Sequence, residues 1–265
     1  LEKINPIKQM LKVVILAGGL GTRFPEETEL RPKPMITIGR HPILWHILKG
    51  FEYFGFNEFY IAVGYKGDVI KNYFTHYHML NGNIAVDLST GNVTNDTVPV
   101  EQWKVHIIET GERTETGGRI RQMKHYLEGD EPFIVTYGDG VADIDIPALI
   151  TFHKSHGKTA TVTAVRPPAR FGAINFDGNK IRSFSEKPHT GEGWINGGFM
   201  VFNQRIFDYL KSDYDSLERN ALEHLAADNQ LEAFPHHGFW QCMDTPRDKR
   251  YLEDLWQHNP PWKVW

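Results

Sequence analysis

The sequence predicts an α/β fold built on a doubly wound, mostly parallel (Rossmann-like) mixed sheet with a small inserted antiparallel portion. Three observations carry this expectation. Apolar runs of strand length recur at Val13 to Ala17, Phe59 to Val63, Val105 to Ile108, Phe133 to Tyr137 and Ala160 to Val165. Several are continuous rather than alternating, as strands covered on both faces are. Helical periodicities lie between them, and beyond Val165 the pattern changes to short strands bounded by turn residues.

Residues 1–9 precede the first strand and read as an extension. After the strand and a glycine-rich loop, Ile43, Leu44, Ile47, Leu48, Phe51 and Phe54 repeat at helical spacing, with Pro42 where a first turn tolerates it. Met79 to Trp103 is rich in Asn, Thr and Gly, and a structureless loop of that length is uncommon. The segment 79–104 is therefore read as a surface excursion holding a hairpin, with a lid or subunit-contacting arm as the functional alternative. Ile120, Met123 and Leu127 mark another helix after a glycine pair.

The antiparallel portion is Ala173 to Phe184, two short strands around Asp177-Gly178-Asn179, followed by a strand-rich stretch from Trp194 to Phe202. Helices near Ala221 to Asp228 and Arg247 to Gln257 and a short strand near Phe239 to Met243 complete the chain. Asp143 and Asp145 precede a helix and suit capping. His236-His237 reads as a polar turn. With no internal repeat or low-complexity linker, residues 1–265 are expected to form one domain. Right-handed crossovers in such a sheet place functional loops at the carboxyl ends of strands.

Composition narrows the function classes. Lys and Arg number 29 against 33 Asp and Glu, a formal net charge of -4, which disfavours a nucleic-acid surface. No apolar run approaches the roughly 18 residues that span a membrane. Cys242 is the single cysteine, so no intrachain disulfide and no multi-cysteine metal site can form, and a reducing, cytoplasmic setting fits.

The loop from Leu16 through Ala17, Gly18, Gly19, Leu20, Gly21 and Thr22 to Arg23 holds the chemistry. A dinucleotide fingerprint needs G-x-G-x-x-G, and Phe24 stands where its last glycine belongs. A P-loop needs Lys followed by Ser or Thr after the glycines, and none is there. What remains is a backbone that can approach an anion closely, with N–H groups able to converge on phosphate oxygens. Thr22 adds a hydroxyl and Arg23 a fork of donors. Lys33 adds a compact cation held between Pro32 and Pro34. That donor capacity suits a polyphosphate.

LAGGLGTRFPEETELRPKP resembles the signature of the sugar-1-phosphate nucleotidylyltransferases. YGDG at 137–140, FGAINF at 171–176, EKP at 186–188, INGGF at 195–199 and WQCMDTPRD at 240–248 resemble the same family in order and spacing. The resemblance runs from Lys12 to Trp262 and points to the branch using CTP and glucose 1-phosphate, with magnesium as cofactor and a homo-oligomeric assembly. It implies attack of a sugar-phosphate oxygen on the α-phosphorus of the triphosphate. The nucleophile is already an anion, so catalysis becomes positioning and charge neutralisation.

By that resemblance Arg23 and Lys33 are the catalytic cations, and Asp139 and Asp244 hold the metal. Thr114, Arg119, Arg121 and Gly138 join the glycine loop in binding the nucleotide. Lys187 neutralises the sugar phosphate and Glu186 accepts from sugar hydroxyls, while Asn196, Gly198 and Gly172 let the sugar lie close to the backbone. Base choice is expected from Arg119: a fork aimed at O2 and N3 pairs with cytosine and opposes the N3–H of uracil and thymine. Such a mismatch in a buried site discriminates by about 10^4 or more. A uridylyl- or thymidylyltransferase, and a non-catalytic sugar-nucleotide sensor on the same fold, remain the alternatives.

Overall fold

The computed structural model describes residues 11–95, 101–129, 131–167, 173–177, 180–185 and 193–265. Its first strand, β1 (Val13–Leu16), is buried along its whole length. Successive side chains on it feed opposite cores: Val13 and Ile15 join one apolar cluster, Val14 and Leu16 the other. This is why the run carries no polar alternation.

The chain then makes α1 (Pro25–Thr28), the paired β2 (Thr37–Ile38) and β3 (His41–Pro42), and α2 (Ile43–Tyr53). Helix α2 buries Ile43, Leu44, Ile47, Leu48 and Phe51, the predicted apolar stripe. Next come β4 (Glu58–Val63), α3 (Gly67–Thr75), α4 (Tyr77–Asn81), β5 (Ile84–Asp87), β6 (Asn92–Asn95), β7 (Lys104–Glu109), α5 (Thr116–Gln122) and α6 (Lys124–Leu127). β8 (Phe133–Tyr137), β9 (Gly140–Ala142), α7 (Ile146–His156) and β10 (Ala160–Val165) follow.

The predicted antiparallel pair is β11 (Ala173–Asp177) with β12 (Lys180–Ser185), and β13 (Ile195–Phe202) returns to the main sheet. The chain closes with α8 (Glu223–Ala227), β14 (Leu231–Pro235), β15 (Trp240–Cys242) and α9 (Pro246–His258). Asp145 caps α7 by accepting from Ala148 N at 2.9 Å, and Thr245 with Asp248 forms a capping box on α9.

Seven strands form one sheet in the order β14-β10-β13-β8-β1-β4-β7. The pairs β8–β1, β1–β4, β4–β7 and β10–β14 are parallel, whereas β13 runs antiparallel to both neighbours. The sheet is the mixed, mostly parallel one expected. β1 sits beside β8, so their carboxyl ends, carrying the glycine loop and the Gly138-Asp139 turn, lie together.

Three local readings change. Asp143 caps no helix; its Oδ1 lies 3.0 Å from His236 Nε2. The helix expected from Ala221 starts earlier, as a π-helical turn over Leu217–Leu222 that runs into α8 and buries Leu217, Ala221, Leu222 and Leu225. Strand β14 was not foreseen, since its residues are half buried or exposed at the sheet edge and lack an apolar run. In the 79–104 segment, β5 and β6 pair with each other as the expected hairpin, leaving Ile84, Val86, Leu88 and Val93 exposed.

Candidate active site

The glycine loop leaves β1 into a cleft of about 750 Å³. Loop and sheet are tied together by main-chain bonds: Ala17 N donates to Ala62 O at 2.9 Å, and Gly138 N to Leu16 O at 3.0 Å. Gly21 has φ +67, a left-handed conformation that a side chain would resist, and a Cβ there would stand 2.5 Å from Thr28 Cγ2. Thr28 Oγ1 holds the turn by donating to Gly21 O at 3.1 Å and Phe24 O at 2.9 Å. Leu16, Ala17, Gly18, Gly19, Leu20, Gly21, Thr22 and Arg23 all face the cleft, with Gly138 and Thr114.

Lys33 begins a 3-10 turn between Pro32 and Pro34 and is buried. Its Nζ lies 3.2 Å from Asp139 Oδ2 and also donates to Asp244 Oδ1. Arg23 Nη1 donates to the other Asp244 oxygen at 2.6 Å while its side chain stays 75% exposed. The two aspartates meet because β9 and β15 pair antiparallel with Gly140 opposite Cys242, and Met243 N donates to Asp139 O at 2.8 Å. Asp244 is further anchored by its own N–H, which donates to Asp248 Oδ2 at 3.1 Å.

Burial alone would lower the Lys33 pKa, but the adjoining Asp139 and Asp244 outweigh it and raise it, so the ammonium keeps its charge. Burial pushes the neighbouring Cys242 thiol up to about 12, with Asp244 and Asp139 adding to the shift. It stays protonated near neutrality and is no nucleophile. Among the described residues no three His, Cys, Asp or Glu side chains gather as a metal cage. The pair Asp139 and Asp244, already closed around a cation, does fit a divalent ion completed by phosphate oxygens and water.

Arg119 differs from its expected pose. It is 3% exposed, and its guanidinium is turned onto the protein: Nη1 donates to Thr110 Oγ1 at 2.6 Å, Gly111 O at 2.8 Å and Val63 O at 3.2 Å, and Nη2 to Gly18 O at 2.9 Å. A fork on cytosine O2 and N3 would require breaking these bonds, so in this structure Arg119 braces the cleft wall. Gly18 has no room for a side chain beside it, a Cβ falling 2.2 Å from Arg119 Nη1.

Arg121 is not brought to the cleft. It follows α5 outward to pair with Asp213 at 2.8 Å. Asn196 lines the cleft, whereas Gly198 serves packing: its φ is +79 and a Cβ would lie 2.5 Å from the Tyr137 ring. Gly172, Glu186 and Lys187 lie outside the described residues. Cleft residues that the sequence did not single out include Thr116, Tyr137, Glu218 and Trp240. Tyr137 stood inside the YGDG motif, but Glu218 sits on a π-helical turn far along the chain and carried no local signal.

The Nucleotidyl transferase family profile matches residues 12–244. The chain is 48% identical over 256 residues to a glucose-1-phosphate cytidylyltransferase of Salmonella typhi, covering 96% of this chain and 100% of that protein. It is 44% identical over 257 residues to a probable glucose-1-phosphate cytidylyltransferase of Bacillus subtilis (strain 168), covering 96% and 100%. The crystal structure of HddC from Yersinia pseudotuberculosis superposes with a TM-score of 0.66 at 26% identity, over 93% of this chain and 100% of that one. With the glycine loop, the buried lysine and the two converging aspartates in place, the chain belongs to the nucleotidyl transferase family.

Proposed function

We propose that this protein transfers a cytidylyl group from CTP to α-D-glucose 1-phosphate, giving CDP-glucose and pyrophosphate. The single observation that carries the chemistry is Lys33, clasped by Asp139 and Asp244 on the floor of the glycine-loop cleft. The near-full-length similarity to glucose-1-phosphate cytidylyltransferases supports the choice of CTP and glucose.

A sugar-phosphate oxygen attacks the α-phosphorus, the bond to the β-phosphate bridging oxygen breaks, and pyrophosphate leaves with that electron pair. The N–H groups of residues 18–22 cradle the triphosphate. Arg23, with most of its side chain in solvent, closes on the departing phosphates, and Lys33 neutralises charge building at the α-phosphorus. Asp139 and Asp244 would hold magnesium, which supplies further neutralisation of the phosphoryl oxygens. Lys187, Glu186, Gly172 and Asn196 bind the sugar phosphate.

Base selection is shared by Thr114 and the loop that Arg119 braces. The whole chain acts as one nucleotidyltransferase unit. It assembles as a homo-oligomer, a reading supported by the exposed apolar side chains of the β5–β6 hairpin. A matrix of triphosphates against sugar 1-phosphates, with and without magnesium, tests the activity. Pyrophosphate release is expected to be highest with CTP and glucose 1-phosphate. A maximum with UTP or dTTP changes the substrate assignment, and intact binding with no turnover makes the protein a sensor.

A further inference from the structure

Glu218 presents a carboxylate to a cleft built for polyanions, yet among the described residues no cation pairs with it. Hydroxyls surround it instead. Tyr137 OH donates to Oε1, while Thr116 Oγ1 and Ser216 Oγ donate to Oε2 at 2.9 and 2.7 Å. Burial pushes this carboxyl up, but the bonds from Tyr137 and Ser216 outweigh that and hold it below its ordinary range, so it stays ionised. An ionised carboxylate only accepts hydrogen bonds, which fixes the direction of every bond made to it.

The three donors come from separate parts of the site. Thr116 opens α5, directly after the loop that carries Thr114; Tyr137 ends β8, two residues before Asp139; and Ser216 caps the π-helical turn. The phenol proton of Tyr137 is committed to Glu218, which holds the ring in place, while Asn196 Nδ2 points at Met200 Sδ at 3.8 Å. Asn196 Oδ1 in turn accepts from Gly198 N at 2.8 Å, and Gly198 packs against the Tyr137 ring. Glu218 thus bears on Asn196 through the Tyr137 ring and the Gly198 turn packed on it. A π-helical turn inside an α-helix frequently marks a functional position, and here it sets Glu218 at the cleft wall.

We infer that Glu218 is a positioning residue for the sugar phosphate: by holding the Tyr137 ring in place it fixes the Gly198 turn packed on that ring, and with it the Asn196 amide that faces the sugar. The assignment of that side of the cleft to the sugar rests on the function proposed above. Glutamine at this position keeps the size of the side chain but can donate, so it no longer dictates which way the phenol points.

The test uses Glu218→Gln, Tyr137→Phe and the double variant, each compared with the parent protein by calorimetric titration of glucose 1-phosphate and of CTP, and by steady-state KM for both. Each single variant is expected to weaken glucose 1-phosphate about tenfold, with CTP within twofold. The double variant should lose no more than the larger single loss, because both changes cut the same Tyr137–Glu218 bond. Unchanged sugar-phosphate affinity, an equal loss for CTP, or additive losses would overturn the inference. Thermal unfolding is followed in parallel, and Tyr137→Phe, which removes one oxygen, keeps the test readable if Glu218→Gln fails to fold. Since binding is read without turnover, a parent protein that binds both ligands but releases no pyrophosphate sinks the proposed reaction and leaves this inference standing on its own result.

Discussion

Arg119 Nη2 donates to the carbonyl of Gly18 at 2.9 Å, joining α5 to the first turn of the glycine loop across 101 residues of sequence. Its other contacts reach Val63 O, Thr110 Oγ1 and Gly111 O, so one buried guanidinium ties the ends of β1, β4 and β7 into one rim. The loop that meets the triphosphate is thus held from behind by a cation as well as by its own Thr28.

Removing that brace should damage stability and nucleotide binding together. Arg119→Ala takes away the donor of Gly111 O, strips one bond each from Gly18 O and Val63 O, which keep other donors, and opens a cavity, so a loss of about 2 to 4 kcal/mol is expected. Gly18→Ala should cost less but act through the same contact, since its Cβ would displace the guanidinium. In urea unfolding the double variant is expected to lose less than the sum of the two single losses. A normal unfolding midpoint in Arg119→Ala, with an altered CTP to UTP ratio, would return Arg119 to base reading.

Lys33→Met should lower kcat by about 10^2 or more, as removal of a preorganised charge at the reacting phosphate does. It also leaves Asp139 and Asp244 facing each other without their shared ammonium. The variant is expected to melt at a lower temperature in chelator and to regain stability on adding magnesium, by a larger increment than the parent protein shows. An equal magnesium effect on both proteins would argue that the ion binds elsewhere.

Arg23 separates catalysis from folding. With most of its side chain in water, its pair with Asp244 contributes at most about 1 kcal/mol. Arg23→Ala should therefore unfold nearly as the parent does, while turnover at saturating CTP falls about 10^2. Comparable kcat in the two proteins would show that the contact with Asp244 is its whole role.

His46 predicts an acid limb in the stability profile. The ring is buried beneath Trp256 and Trp262 and bonds Ile38 O at 3.0 Å, and burial pushes its pKa down to about 4. The folded ring is neutral while the unfolded one charges below its ordinary value of 6.5. Its contribution is thus complete above about pH 6.5 and is lost as pH falls toward 4, on the order of 3 kcal/mol in full. Buried His153, also lowered to about 4, adds to the same limb. Urea midpoints of the parent and His46→Gln between pH 4 and 7.5 should converge as the pH drops. A constant gap across that range would remove His46 from the titration.

The central strands of the sheet were legible because they are short apolar runs whose two faces are both covered, as with Val13–Leu16 and Phe133–Tyr137. Edge strand β14 was not, because half-buried Glu232 and exposed Pro235 interrupt any such pattern. The glycine loop, Lys33, Asp139 and Asp244 stood out as local motifs. Glu218 did not, since what makes it part of the cleft is contact with Thr116 and Tyr137, each more than 80 residues away.

The amino-acid sequence by itself determined the sheet architecture and the kind of ligand, because burial patterns and a donor-rich glycine loop are properties of neighbouring residues. The direction of each side chain was decided only by tertiary structure. Arg119 and Arg121 lie two residues apart on one helix, yet one turns inward onto four acceptors and the other outward onto Asp213. The reason is geometric: two residues along an α-helix point to nearly opposite sides, and only the packing of α5 against the sheet settles which of them meets the cleft.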